Sequence, residues 1–133
     1  MATTTATLTI SSADLTSNPL AITTSSTLYK AGTTIGLEQT TGLSKKVYAA
    51  AQSNTTLISA GDYADDTASR VYIKNTGSSS TDYFTLTIAS GNSVIGRLYG
   101  GDFLFIPYEG EEDIDITSSA TNMELEFMVI NEG

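Results

Sequence analysis

The sequence contains no cysteine, no histidine and no tryptophan. Without cysteine the chain has no disulfide framework, no thiolate nucleophile and no cysteine-based zinc site. Without histidine it lacks the commonest general base and transition-metal ligand, which excludes Ser-His-Asp and Cys-His catalysis. Without tryptophan it lacks a favoured platform for stacking on sugars and bases. We therefore expect a protein that is not an enzyme and that uses no cofactor.

The final quarter of the chain also lacks basic residues, because no Lys or Arg follows Arg97. Up to that residue six basic and six acidic residues cancel, so the whole net charge of −9 comes from the residues after it. Those nine acids are Asp102, Glu109, Glu111, Glu112, Asp113, Asp115, Glu124, Glu126 and Glu132. Such a surface repels a phosphate backbone, so we expect no nucleic-acid partner.

Long apolar runs are missing as well. No run approaches the length of a membrane span, and the first residues carry neither a basic region nor an apolar core segment. The sequence therefore predicts a soluble protein that is made in a cytoplasm and has no membrane partner. Its 133 residues indicate a single domain.

What the chain does contain is a series of short strand patterns. Tyr83–Ile88 alternates strictly between apolar and polar residues, and Gly91-Asn92 and Gly100-Gly101 are typical of tight turns. Such strands start at intervals of about 8–12 residues, and no helical periodicity fills the gaps between them. The pattern predicts an all-β fold, an antiparallel β-sandwich of jelly-roll type with about 8–10 strands.

Several local features refine this prediction. Phe103–Ile106 is apolar on both faces, which favours a central strand, and Pro107 ends it because proline lacks a backbone donor. Gly96 inside a strand pattern indicates a bulge or a close backbone approach. Val47–Ala51 could start a helix by the propensity of alanine, but its strand-like surroundings favour a strand. Lys45-Lys46 is typical of a protected sheet edge.

The sequence predicts a β-sandwich domain over residues 41–133. The Thr- and Ser-rich segment 1–40 that precedes it has two interpretations. It is either a sparsely apolar part of the same domain or an arm that contacts a neighbouring subunit. Thr7–Ile10 alternates as a half-buried strand would, Leu20–Ile22 suggests another strand, and a short one is expected near Thr34–Leu37. The residues that we expect at subunit contacts are Leu8, Ile10, Leu20, Ile22, Tyr99 and Tyr108.

Clustered carboxylates are the strongest candidates for a metal site or for catalysis. Glu109, Glu111, Glu112, Asp113 and Asp115 could hold Ca²⁺, which takes six to eight oxygen ligands, although their spacing is not that of an EF-hand. A solvated acidic loop that keeps the protein soluble explains them equally well. The same alternatives apply to the group formed by Asp62, Asp65 and Asp66. Paired carboxylates could cleave a glycosidic bond, but a chain of this size without tryptophan has little material for a sugar cleft.

Seven tyrosines offer a further alternative, a site that binds glycans without chemistry. Tyrosine combines an apolar ring with a polar tip, so it is also common at rims and subunit contacts. The residues considered for either role are Tyr63, Tyr72, Tyr83, Tyr99 and Tyr108.

The segment Gly96–Pro107, followed by Ile114–Ile116 and Leu125–Ile130, resembles small virion proteins of tailed bacteriophages, especially those from marine metagenomes. Those proteins carry a similar strand, a Gly-Asp or Gly-Glu turn, an apolar strand that ends in proline and a Glu-rich final strand. The strand Arg70–Asn75 and the start Asp82-Tyr83 also fit. The resemblance covers about half of the chain.

The resemblance implies a structural role in a virion and no catalytic residues. The expected function is a capsid decoration (cement) protein, or a small head or tail accessory protein. Its partners would be the major capsid protein or other virion proteins, and it would form a homo-oligomer, a trimer or a dimer. The acidic final quarter favours the exterior of the particle. The alternative is a carbohydrate-binding β-sandwich, such as an adhesin or fibre domain.

Overall fold

In a computed structural model, which describes residues 3–132, the chain is all-β with antiparallel sheets. The strands are β1 (Thr5–Ser12), β2 (Leu20–Thr27), β3 (Gln39–Thr40), β4 (Ser44–Tyr48), β5 (Thr55–Ile58), β6 (Ser69–Asn75), β7 (Tyr83–Ile88), β8 (Ser93–Tyr99), β9 (Phe103–Tyr108), β10 (Ile114–Ser118) and β11 (Met123–Asn131). A short 3-10 turn covers Ala60–Asp62.

The strands form three sheets. β5-β10-β7-β8 is a four-stranded sheet, and in the five-stranded sheet β11 pairs with both β3 and β4 on one side and is followed by β6 and β9. Within residues 3–132, β1 and β2 pair only with each other, and we call this hairpin the ribbon. The strand interpretation of Val47–Ala51 is confirmed for its first two residues, which end β4, and Lys45-Lys46 lies in that edge strand.

The two larger sheets contribute to one hydrophobic core, an arrangement compatible with a β-sandwich. Alternation along each strand sends every second side chain into this core, where full burial of each contributes about 1.5–3 kcal/mol. Its most buried members are Phe84, Leu86, Ile114 and Ile116 from one sheet and Val71, Ile73, Leu125 and Val129 from the other.

A buried asparagine joins the end of β6 to the turn between β8 and β9. The side-chain amide of Asn75 donates to the carbonyl of Leu98 at 2.8 Å, and its side-chain oxygen accepts the N–H of Gly77 at 2.9 Å. The backbone carbonyl of Asn75 accepts the N–H of Gly101 at 2.9 Å. Both polar groups of this buried side chain are therefore paired, as burial requires.

The predicted position of Phe103–Ile106 is wrong, and so is its predicted end at Pro107, because β9 continues to Tyr108. β9 lies at the edge of the five-stranded sheet, beside β6, and is not a central strand. Leu104 and Ile106 pack against the core, whereas Phe103 and Phe105 point outward and are 58% and 41% exposed. Apolarity on both faces of this strand thus reflects a second apolar surface outside the core.

The bulge predicted at Gly96 is present, because the β7–β8 register shifts between the pairs Leu86–Gly96 and Thr87–Val94. The alternative of a close backbone approach is wrong, since a Cβ at Gly96 would meet nothing within 4 Å. The extra residue in β8 is Ile95.

The segment between the ribbon and β4 is held to the sandwich. Leu28 and Leu37 are each 1% exposed, and the N–H of Leu37 donates to the carbonyl of Leu28 at 3.0 Å. Near the end of the chain, a carboxylate oxygen of Glu132 accepts the backbone N–H groups of Ala31 and Ala68.

The short strand expected near Thr34–Leu37 is absent from the described residues, where that stretch forms only a single bridge between Tyr29 and Gly36. β3 follows it and pairs with the end of β11 through Gln39 and Thr40. The chain therefore enters the five-stranded sheet at Gln39.

Candidate interaction surface

Strand alternation gives the ribbon two chemically different faces. Eight residue pairs join β1 to β2 without a register shift, from Thr5–Thr27 to Ser12–Leu20. Partners in such a pair share a face of the sheet. One face therefore carries the apolar residues Ala6, Leu8, Ile10, Leu20 and Ile22, together with Ser12, Thr24 and Ser26. The other carries hydroxyl residues and Ala21. Neither face is buried, because Leu8, Ile10 and Ile22 are 42–44% exposed.

The ribbon has none of the usual protection of sheet edges. Natural edge strands are blunted by charged residues or by proline, yet β1 and β2 contain neither. Asp14, in the turn between the strands, is the only charged residue in 3–29. A two-stranded hairpin alone is marginally stable at best in water. The composition and pairing of the ribbon thus favour contact with another surface.

A groove of about 500 Å³ lies between the ribbon and the outer face of the five-stranded sheet. Tyr72, Phe103 and Phe105 line it from β6 and β9. From the ribbon it is lined by Ala6, Leu8 and the hydroxyl residues Thr7, Thr24, Ser25 and Ser26. Among the residues that the structure describes, no charged side chain contributes to its lining. Removing apolar surface from water is favourable, so a groove of this kind favours an uncharged, apolar occupant.

Tyr72 is the polar anchor of this groove. Its hydroxyl donates to the carboxylate of Glu126 on β11 at 2.8 Å. Burial and this hydrogen bond raise the pKa of Tyr72 to about 12. The hydroxyl therefore stays protonated near neutral pH, and the bond fixes the ring beside Phe105, its partner in the β6–β9 register.

The predicted subunit contacts fall in three different places. Leu8, Ile10, Leu20 and Ile22 share the apolar face of the ribbon, as the alternation indicated. Tyr99 and Tyr108 do not join them. Tyr99 packs against Tyr83 with ring centroids 5.2 Å apart, and Tyr108 packs edge-on against Tyr63 at 5.8 Å.

Sequence reasoning missed Phe103 and Phe105 as members of the candidate surface and left the part of Tyr72 open. The signal was available in β9, whose apolar residues occupy both faces of the strand. That pattern predicts a central strand with a neighbour on each side. An edge strand with a second apolar face carries the same pattern.

Two acidic segments that are far apart in sequence meet in the folded chain. Carboxylate oxygens of Asp66, Glu109 and Glu111 lie within 4.8 Å of one another, and all three residues are exposed. The pKa of Glu111 is raised. Repulsion from Glu109 is the largest cause, and partial loss of hydration and the charge of Asp66 are smaller ones. Three carboxylates can supply only part of the six to eight oxygen ligands of Ca²⁺.

The other acids of that segment lie elsewhere. Asp113 accepts the backbone N–H of Ala60 at 2.7 Å and so holds the 3-10 turn. Asp115 lies within β10, where it is 4% exposed and one of its oxygens has no hydrogen-bond partner among residues 3–132. Glu112 is exposed, and its backbone carbonyl accepts the hydroxyl of Tyr108 at 2.8 Å. The five predicted calcium ligands therefore do not converge on one point.

Comparison of the chain with protein-family models, with curated proteins and with solved structures gives no match. Within residues 3–132 there is no helix of the length and apolarity that crossing a membrane requires.

Proposed function

We propose that the chain is a non-enzymatic structural protein of a virion, a capsid decoration (cement) protein that binds coat subunits through its ribbon. The observation that carries this proposal is the exposed, uncharged ribbon beside an apolar groove. Such a surface has the chemistry of a protein contact, because large exposed apolar patches are uncommon on monomeric proteins. The resemblance of Gly96–Pro107 to small phage virion proteins points to the same class.

The proposal includes a jelly-roll topology for the eight strands β4–β11. Support comes from their nested pairing, in which β4 pairs with β11, β5 with β10, β6 with β9 and β7 with β8. Nested pairs of this kind arise when one long hairpin is wrapped into two four-stranded sheets, as in jelly rolls. Jelly rolls occur in viral capsid proteins and in lectins, so the fold is consistent with the role but does not select it.

The proposed mechanism is strand addition. Each strand of the ribbon has one unpaired edge, so an extended segment of a coat subunit can pair with it through backbone hydrogen bonds. The sandwich is the rigid block that this contact fixes on the particle, and its acidic final quarter favours a place on the exterior, away from packaged nucleic acid.

Mass spectrometry of purified particles tests this role. If the chain is a virion protein, particles of the phage that encodes it contain the chain in a fixed ratio to the coat protein, and its gene lies beside portal, coat or tail genes. A chain that is present in infected cells but lost from particles on purification through a density gradient would contradict the proposal.

Glycan binding is the second candidate, favoured by the Tyr83–Tyr99 pair on the four-stranded sheet. The guanidinium of Arg97 lies 4.2 Å from the centre of the Tyr83 ring, so a sugar would have to displace it there. For this reason glycan binding ranks second. Specific signals on a glycan array that disappear in Tyr83→Ala and Tyr99→Ala variants would place it first.

A further inference from the structure

The base and the tip of the ribbon are both exposed, but only the base lines the groove. The base, around Ala6 and Leu8, lines the groove together with Phe103 and Phe105. The tip carries Ile10, Ile22 and Leu15, which do not line the groove and are 43%, 44% and 74% exposed. One molecule therefore presents both an unfilled apolar groove and an uncovered apolar tip.

A molecule cannot place its own tip in its own groove. Base and tip belong to the same two strands, and eight consecutive residue pairs keep them in line. Folding the tip back would break those pairs. An identical copy, in contrast, offers a tip whose apolar residues match an apolar groove.

Charge also favours a second copy at this place. Two chains of net charge −9 repel each other least where they carry no charge, and the ribbon strands and the groove lining are uncharged. The single charge of the tip is Asp14. Lys74 on β6 pairs in register with Phe103, one of the residues that line the groove, and makes no ion pair among the described residues. A tip seated in the groove can bring these opposite charges together.

We propose that the groove receives the ribbon tip of a second copy of this chain, so that copies exchange tips in a closed oligomer. This inference rests on the proposed structural role, because it assigns the apolar face of the same ribbon to self-assembly and leaves the strand edges for the coat. Ile10 and Ile22 pack against Phe103 and Phe105 of the next copy. Closed symmetry fills every groove and leaves no apolar tip uncovered.

Cysteine cross-linking tests the contact directly, because the chain has no cysteine of its own. A mixture of the single variants Ile22→Cys and Phe103→Cys is expected to form a disulfide-linked dimer under mild oxidation. Thr23→Cys is the matched control, since it lies next in the same strand on the opposite face of the ribbon. Equal cross-linking of Thr23→Cys and Ile22→Cys to Phe103→Cys would overturn the proposal.

Analytical ultracentrifugation gives the second test. The intact protein is expected to sediment as a dimer or trimer. The double substitution Ile10→Asp with Ile22→Asp should weaken self-association roughly 30-fold or more, the size of a hot-spot loss. Thr9→Asp with Thr23→Asp adds the same charge on the hydroxyl face and should have little effect. A monomer, an open-ended polymer or equal weakening in both variants would overturn the proposal.

Charge reversal gives a third readout in protein that stays folded. Asp14→Lys and Lys74→Asp should each weaken self-association several-fold, as expected for an exposed ion pair, and the double variant should restore it. If the loss of self-association in the double variant equals the sum of the losses in the two single variants, Asp14 and Lys74 do not contact each other and the proposal is overturned. Particle binding is scored separately: a closed oligomer that is absent from particles leaves this inference standing and removes the proposed function.

Discussion

Gly100 allows the turn between β8 and β9 to pass against the Ser-rich loop, residues 76–82, that joins β6 to β7. Its N–H donates to the carbonyl of Ser79 at 3.0 Å, and a Cβ at this position would stand 2.5 Å from that oxygen. Both groups are backbone, so neither can move alone. We expect Gly100→Ala to lower the free energy of unfolding by about 1–3 kcal/mol, the usual cost of overpacking.

Urea denaturation of Gly100→Ala measures this loss, and Gly96→Ala is its control. A Cβ at Gly96 meets nothing within 4 Å, so that variant should stay within about 0.5 kcal/mol of the native chain. Equal destabilisation by the two substitutions would mean that the close approach at Gly100 does not affect the free energy of unfolding.

Glu111 links the acidic loops to the pH dependence of stability. The carboxylate of Glu109, with Asp66 and Asp65, raises the pKa of Glu111 in the folded state. A raised carboxyl pKa means that the folded chain holds this proton more tightly than the unfolded chain. The charged form therefore costs stability near neutral pH, and the cost disappears as pH falls through the raised pKa.

The substitution Glu111→Gln should accordingly raise the melting temperature at about pH 7 in low salt, and the gain should shrink by about pH 4 and in high salt. The change is expected to be small because the site is exposed. Glu38→Gln, an exposed carboxyl outside this cluster, serves as the control. A fall in melting temperature at neutral pH would show that Glu111 makes a stabilising contact instead.

At the scale of the strands, the ribbon should be the least protected sheet. Its side chains are mostly exposed, whereas alternate residues of β6 are buried in the core. Amide hydrogens of β1 and β2 should exchange much faster than those of β6 when the protein is dilute and dissociated, because local opening of the ribbon exposes little new apolar surface.

Hydrogen exchange followed by mass spectrometry measures this difference. Protection of the ribbon should rise with protein concentration as tips become covered, while protection of β6 should stay the same. Ribbon amides that are as slow as those of β6 in the dissociated protein would contradict this view of the element.

Much of the fold could be predicted from alternation alone. The strand in Tyr83–Ile88 has the predicted bounds, and the predicted turn at Gly100-Gly101 separates β8 from β9. The place of a strand within its sheet was harder to predict. Apolar residues on both faces of Phe103–Ile106 indicate two covered faces, but the pattern does not say whether a sheet or a groove covers the second.

The candidate surface was predictable only in part, for the same reason. Local alternation identified Leu8 and Ile10 on the ribbon. It could not place Leu8 in one groove with Phe105, because that approach depends on how the ribbon sits against the sheet. The meeting of Asp66 with Glu111 likewise joins loops that no local pattern connects.

At the scale of the whole molecule, the ribbon strands and the groove lining carry no charge, and Glu126 borders the groove through its hydrogen bond with Tyr72. The ribbon and groove are uncharged, whereas all the net negative charge derives from the residues after Arg97. A protein built in this way can associate at one place while its acidic surface keeps it soluble and away from nucleic acid. This division of the surface is what a protein on the exterior of a particle needs.

The most direct test of the account is to add the purified chain to particles that lack it and to measure binding by co-sedimentation. We predict saturable binding at micromolar concentration, a fixed ratio of bound chain to coat subunits, and particles that withstand higher temperatures. The variant with Asp at positions 10 and 22 should bind far more weakly, and the variant with Asp at positions 9 and 23 should bind nearly as well as the native chain. Failure of the native chain to bind, or equal binding by both variants, would contradict the account.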